Sequence, residues 1–207
     1  HKEQVKPMKM EDLKYTRSGL MLAVDSYFYD DFIYFWKHDE EKGKITKACL
    51  SQWYPSTFIV DGVTYNCAEQ YMMAEKARIF GDEATRAKIL ATSDPSVIKK
   101  LGRLVSNFDA EVWDEKCIEI VYNGNLNKFG QNKKLKEYLL STGKSTFVEA
   151  SPYDKIWGVG KSVDEEDINI PHFWKGENRL GFILMEVRET LLSTVQKKYD
   201  QFGYSNS

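Results

Sequence analysis

The strongest restriction on this chain's fold is a hairpin that runs directly into a helix over residues 58–80. Phe58-Ile59-Val60 and Val63-Thr64-Tyr65 flank Asp61-Gly62. A two-residue Asp-Gly connection between apolar runs favours a type I′ turn, because both positions need a left-handed backbone. The next stretch, Asn66 to Phe80, reads NCAEQYMMAEKARIF and has a helical pattern. Strand and helix are therefore joined within one unit.

That helix carries a carboxylate and an amine, Glu69 and Lys76, seven residues apart. Seven steps of about 100° fall roughly 20° short of two turns, so both side chains share one face, about 10 Å apart along the axis. A sugar-sized ligand fits between them. Asn66 followed by Glu69 is also the pattern of a capping box, which by itself would account for the glutamate. A cap leaves Met72, Met73 and Lys76 on the same face unexplained. A lysine among apolar neighbours is partly desolvated, which lowers its amine pKa toward nucleophilic use; the other reading is a snorkelling surface lysine.

Elsewhere the chain alternates short strands with helices. Phe32 to Trp36 is a short aromatic strand, and Asp94-Pro95 marks a helix start with proline at the first helical position. Ala110 to Phe129 and Gln131 to Leu140 read as helical, with a kink expected at Asn123-Gly124. Thr146 to Ala150 is strand-like and Ser151-Pro152 breaks it. From Asn178 to about Gln196, Leu180, Ile183, Leu184, Val187 and Leu191 recur at helical spacing as a core stripe. Residues 1–22 are expected to be a flexible lead and residues 197–207 a fraying tail, leaving one domain over residues 23–196.

At 207 residues, 42% hydrophobic and 14% aromatic, the chain suits a single domain with a sizeable core. A net charge of −2 and a pI near 6.0 exclude a generally basic surface for long nucleic acid, so any such contact is short and local. Cys49, Cys67 and Cys117 match neither a disulfide framework nor a zinc site, and His1, His38 and His172 are too scattered to pair as ligands. Buried thiols, no metal and no cofactor are expected. With no long apolar run or cleavable leader, an intracellular protein, cytoplasmic or nuclear, away from membranes is expected.

The segment Gly158-Val159-Gly160-Lys161-Ser162 ends like a phosphate-cradling P-loop, but Lys155 stands where the first glycine is required. Acidic residues from Asp164 to Asp167 follow where a phosphate-binding helix would begin. A triphosphatase is therefore excluded. Asp154, three residues before Trp157, lies in an aromatic, glycine-rich loop that suits either chemistry or a turn in which it caps backbone amides. Trp53, Tyr54 and Trp113 fit either core or stacking roles.

Several ordered blocks resemble the NADAR family, also called YbiA-like, across roughly residues 30–192. They are CLSQWYPSTF at Cys49 to Phe58, VDGVTYNCAEQYMMAEKARIFGD at Val60 to Asp82, LGR at Leu101 to Arg103, and Trp113. VEASPYDKIWGVG at Val148 to Gly160 and NRLGFILMEVRE at Asn178 to Glu189 complete the set. The resemblance implies an α+β, predominantly helical YbiA-like domain with a small β-sheet, in agreement with the pattern above. It also implies cleavage of N-glycosidic bonds on ribose phosphates. One substrate class is ADP-ribose on guanine in DNA or RNA. The other is the phosphoribosylamino-pyrimidine intermediates of riboflavin biosynthesis.

By resemblance Lys76 is the nucleophile, forming a Schiff base with the opened sugar, while Glu69 moves protons and Asp154 assists or orients the ribose. Ser51, Gln52 and Trp53 are expected near the ribose, Arg103 at phosphate, and Trp113 and Trp157 as walls, with Gly158 permitting close backbone approach. Gln52 replaces an asparagine frequent in the family. Asn178 and Arg179 also match, and suit capping and anchoring of the last helix. The expected partners are an ADP-ribose moiety and its nucleic-acid carrier, with no obligate protein partner. A non-catalytic ADP-ribose reader is the alternative from another class; it would have no use for an amine at the anomeric carbon.

Overall fold

The computed structural model describes residues 8–29 and 31–203; residues 1–7, 30 and 204–207 lie outside it. Among the described residues two short two-stranded sheets accompany seven α-helices, which bears out the α+β, mainly helical class. Strand β1 (Phe32–Phe35) pairs in parallel with β4 (Thr146–Glu149), placing Phe35 opposite Glu149. Strands β2 (Phe58–Val60) and β3 (Val63–Tyr65) form the expected hairpin. Asp61 at φ 49° and Gly62 at φ 79° both take the left-handed conformation that a type I′ turn demands.

The helices follow their local signals. Helix α1 spans Arg17–Asp25, α2 Ala68–Ile79, α3 Glu83–Leu90, α4 Pro95–Gly102, α5 Ala110–Gln131, α6 Lys133–Ser141 and α7 Arg179–Gln201. The Asp94 carboxylate accepts the Ser96 N–H at 2.9 Å, with Pro95 first in α4. Helix α3, which has no strong signature in the sequence, starts at Asp82, whose side chain accepts the Thr85 N–H at 3.0 Å. Every member of the α7 stripe is buried.

Helix α5 passes through Asn123-Gly124 as a single helical element. A Cβ at Gly124 would lie 2.6 Å from the Tyr71 ring, so the missing side chain is a notch for that ring. Asn123 Nδ2 donates to the Tyr71 hydroxyl at 2.7 Å beside it. The pair locks α5 against α2, the helix that carries Glu69 and Lys76.

Both ends differ from the sequence expectation. Within the supposed lead, Leu13 and Leu20 are buried, and the Lys14 and Tyr15 N–H groups donate to Glu186 Oε1. The Arg17 guanidinium donates to the carbonyls of Pro171 (3.0 Å), His172 (3.2 Å) and Trp174 (2.7 Å). These partners lie in distant sequence, so no local pattern announces them. At the other end α7 continues to Gln201 instead of stopping near Gln196. All three cysteines are free and buried, as expected.

Candidate active site

The first wall is α2. Its N-cap is Cys67, and the capping box of Asn66 with Glu69 does not form. Gln70 serves instead: its Oε1 accepts the Asn66 N–H at 2.7 Å while Nε2 donates to the Ile89 and Thr92 carbonyls. Glu69 is thereby released from capping. Its own N–H donates to the Gln52 carbonyl at 2.9 Å and its side chain is buried. Burial pushes the carboxyl up to about 7; the Lys99 charge opposes this, Asp154 reinforces it, and Lys76 opposes it.

Lys76 is half-buried, with Nζ 4.6 Å from the centre of the Phe108 ring and 5.6 Å from that of Trp113. Burial lowers its amine below the usual lysine range; Glu69 pulls it back up, and the neighbouring Arg103 charge lowers it further. Arg103, the C-cap of α4, is itself exposed.

The second wall is the loop after β4. Asp154 Oδ1 accepts the N–H groups of Ile156 (2.9 Å) and Trp157 (2.8 Å), so this residue does cap its own turn. Its charge nonetheless acts on both Glu69 and Glu149. Gly158 sits in close quarters: a Cβ there would lie 2.8 Å from Glu149 Oε2 and 3.0 Å from each of the Asp154 and Glu149 carbonyl oxygens, so any side chain would displace its surroundings. Asn178, left-handed at φ 53°, clips this loop to β4. Its Nδ2 donates to the Phe147 carbonyl at 2.9 Å, Oδ1 accepts the Glu149 N–H at 3.0 Å, and its own N–H donates to the Gly158 carbonyl. Arg179 anchors α7 to α5 through Asp114 at 2.9 Å.

The third wall is the segment after the 3₁₀ turn at Lys47–Leu50. Lys128, fully buried in α5, donates to the Cys49 carbonyl at 2.7 Å and the Ser51 carbonyl at 2.9 Å. Ser51 Oγ accepts the Trp53 N–H at 3.2 Å, and Gln52 Oε1 accepts from Asn125 at 2.8 Å. These side chains therefore brace the loop. Gln52 keeps its Nε2 and one lone pair of its oxygen for a ligand. Trp53 stands edge-on to His38 at 5.6 Å, with Lys99 Nζ 5.9 Å from its ring.

The structure thus brings Glu69, Lys76 and Asp154 into one electrostatic group, with Arg103, Phe108 and Trp113 around the amine and Trp53 linked to it through Lys99. Trp157 is half-buried on the second wall. Sequence reading missed Lys99, Phe108 and Glu149. Glu149 stands in the quoted VEASP block, but a strand position reveals no inward carboxyl until the covering loop is known. The P-loop-like Lys161 is bonded to both carboxylate oxygens of Asp167, at 3.1 Å each, and is not open to phosphate. Among the described residues no group of three or more His, Cys, Asp or Glu side chains has the geometry to hold a metal ion. Nor is any helix there long and apolar enough to cross a membrane.

An amine lowered by burial beside a carboxyl that still holds a proton near neutrality can attack an electrophilic carbon while protonating what leaves it. The chain is 44% identical over 166 residues, 77% of its length, to a protein of Acanthamoeba polyphaga mimivirus named an N-glycosidase, covering 96% of that protein. It is 30% identical to a riboflavin biosynthesis protein of Vibrio vulnificus, across 86% of this chain and 44% of that one. N-glycosidase YbiA of Escherichia coli is 34% identical over 132 residues, 64% of this chain and 74% of YbiA. The NMR structure of YbiA superposes with a TM-score of 0.65 at 30% identity, covering 81% of this chain and 88% of that one. The NADAR domain model matches residues 34–192, and the chain belongs to the NADAR family.

Proposed function

We propose that this protein is an N-glycosidase that removes ADP-ribose from guanine in nucleic acid through a lysine Schiff base. The observation that carries the reading is the pairing of Lys76, lowered by burial, with Glu69, held up at about 7 on the same helix face. The carboxyl can hold a proton near neutrality, and burial makes the amine easier to deprotonate than a water-exposed lysine. Relatives named N-glycosidases support the reaction class.

Lys76 Nζ attacks the anomeric carbon, forming a C–N bond as the bond to the guanine amine breaks, and Glu69 gives its proton to the departing nitrogen. Proton transfer to the ring oxygen then opens the sugar and leaves a Schiff base on Lys76. Water adds to that carbon, and collapse expels the lysine amine and releases ADP-ribose. Asp154, with one oxygen committed to its turn, stabilises positive charge at the anomeric carbon. Arg103 neutralises phosphate, and Trp113 and Trp157 wall the base or sugar.

The Vibrio relative favours a second substrate, phosphoribosylamino-pyrimidine, in which an amine also sits on the anomeric carbon of ribose. The deciding experiment is intact-mass analysis after incubation with an ADP-ribosylated guanine oligonucleotide and cyanoborohydride, beside Lys76→Ala. A reduced ADP-ribose adduct that requires Lys76 is expected. Base release without an adduct would move the chemistry to direct hydrolysis by the carboxylates. Neither release nor adduct would transfer the reading to the pyrimidine substrates or to a non-catalytic reader.

A further inference from the structure

The second wall holds a carboxyl group that the chemistry above does not use. Glu149 ends β4, its N–H fixed by Asn178 and its partner across the parallel pair being Phe35. Its Oε2 is withdrawn from solvent and has no hydrogen-bond partner. A buried carboxylate without a donor is costly, whereas a carboxylic acid in the same place can itself donate. Two carbonyl acceptors border the same space. The carbonyl oxygens of Asp154 and Glu149 lie within 3.0 Å of the same point beside Gly158 that Oε2 approaches to 2.8 Å. Each carbonyl already accepts one N–H, from Gly160 and Val159 respectively, and retains a second lone pair.

We propose that Glu149 is a third carboxyl group of this site, a positioning residue that, as a neutral acid, donates a hydrogen bond into the Asp154–Gly158 loop and so fixes the Asp154 carboxylate. The charged groups that face it are Asp154 on the loop, Glu69 on α2 and Lys99 on α4. Burial raises its acid to about 8, the two carboxylates add to that, and Lys99 opposes it. With no side chain at Gly158, the loop backbone packs closely against Glu149. The role in turnover rests on the N-glycosidase reading; the protonation and the loop contact do not.

Glutamine keeps a neutral donor at this position and alanine removes it, so the two substitutions separate positioning from charge. Carbon-detected titration of glutamate carboxyls in the parent should show one signal that stays in its acid form through pH 7 and is missing from Glu149→Gln. The amide proton shifts of Ile156 and Trp157, which report their bonds to Asp154, should be kept in Glu149→Gln and displaced in Glu149→Ala. On the ADP-ribosylated oligonucleotide, Glu149→Gln should retain kcat within about 3-fold and leave the alkaline limb of the pH–rate profile in place. Glu149→Ala should lose on the order of 100-fold in kcat, the scale of a misplaced catalytic group. A missing signal that titrates near 4, or a Glu149→Gln limb displaced downward by a pH unit, means that Glu149 works as an anion and overturns the proposal. If the parent releases no base, the N-glycosidase reading fails, and the titration and amide shifts still decide whether Glu149 is the neutral donor.

Discussion

Two lysine environments in this molecule invite comparison. Lys128 and Lys76 are both pushed below the usual lysine range by burial, Lys128 to about 8. Lys128 is wholly enclosed and gives two hydrogen bonds to carbonyls that shape the Ser51–Trp53 segment. Lys76 is half-open, lies against two aromatic rings, and among the described residues has no hydrogen-bond partner. Desolvation alone therefore does not distinguish the proposed nucleophile from a structural amine. On the proposed mechanism, what separates the brace from the nucleophile is a lone pair that no hydrogen bond occupies once the amine is deprotonated.

The sharpest way to break that contrast is to remove each amine. Lys76→Ala should cut base release by 1,000-fold or more, on the order expected for loss of a covalent nucleophile, with the thermal midpoint nearly unchanged. Lys128→Met should instead lose roughly 2 kcal/mol of stability in urea titrations, because two buried carbonyls lose their donor. The pH dependence has a definite sign. Between about 8 and about 10.4 the unfolded chain binds a proton at residue 128 that the folded chain has released, so the parent gains stability relative to Lys128→Met as pH rises. Equal stability losses in the two variants would erase the distinction.

The third substitution bears on the acid beside Lys76. Glu69 is raised to about 7 in the folded state, against about 4.3 unfolded. Stability from its retained proton is present below the unfolded value and is lost as pH rises through about 7. Glu69→Gln should therefore be more stable than the parent at pH 7.5 by roughly 1–3 kcal/mol, with the gap closing toward pH 4, and should be inactive. Equilibrium unfolding at both pH values checks this. The smallest effect is expected at exposed Arg103: Arg103→Ala should weaken ADP-ribose binding about 10-fold at low salt, less at high salt, by calorimetry. Unchanged binding would remove Arg103 from the phosphate role.

Local chemistry made much of the scaffold legible. Asp61-Gly62 specifies its turn, Asp94-Pro95 its helix start, and the Leu180 to Leu191 stripe its buried face, each through a rule acting within a few residues. The Glu69 and Lys76 spacing likewise placed two candidate site groups on one helix face. Long-range contacts were not legible. Arg17 finds three carbonyls more than 150 positions away, and α1 docks because of them. Lys128 has the sequence surroundings of an ordinary helical lysine, and only α5 packing under the Cys49 segment encloses it. Glu149 was hidden because the loop that follows β4 folds back over it only when Asn178, 29 positions away, clips that loop to the strand.

The parallel pairing of β1 with β4 has a consequence for how this molecule could be divided. Gly143 and Lys144 lie in an exposed turn immediately before β4. A cut there would leave Glu69 and Lys76 on one piece and Glu149, Asp154 and Trp157 on the other. On the proposed division of roles, neither fragment would turn over substrate alone. Their reassembly would need the cross-strand ladder and the docking of α7, so returning activity would serve as a reporter of two polypeptides meeting.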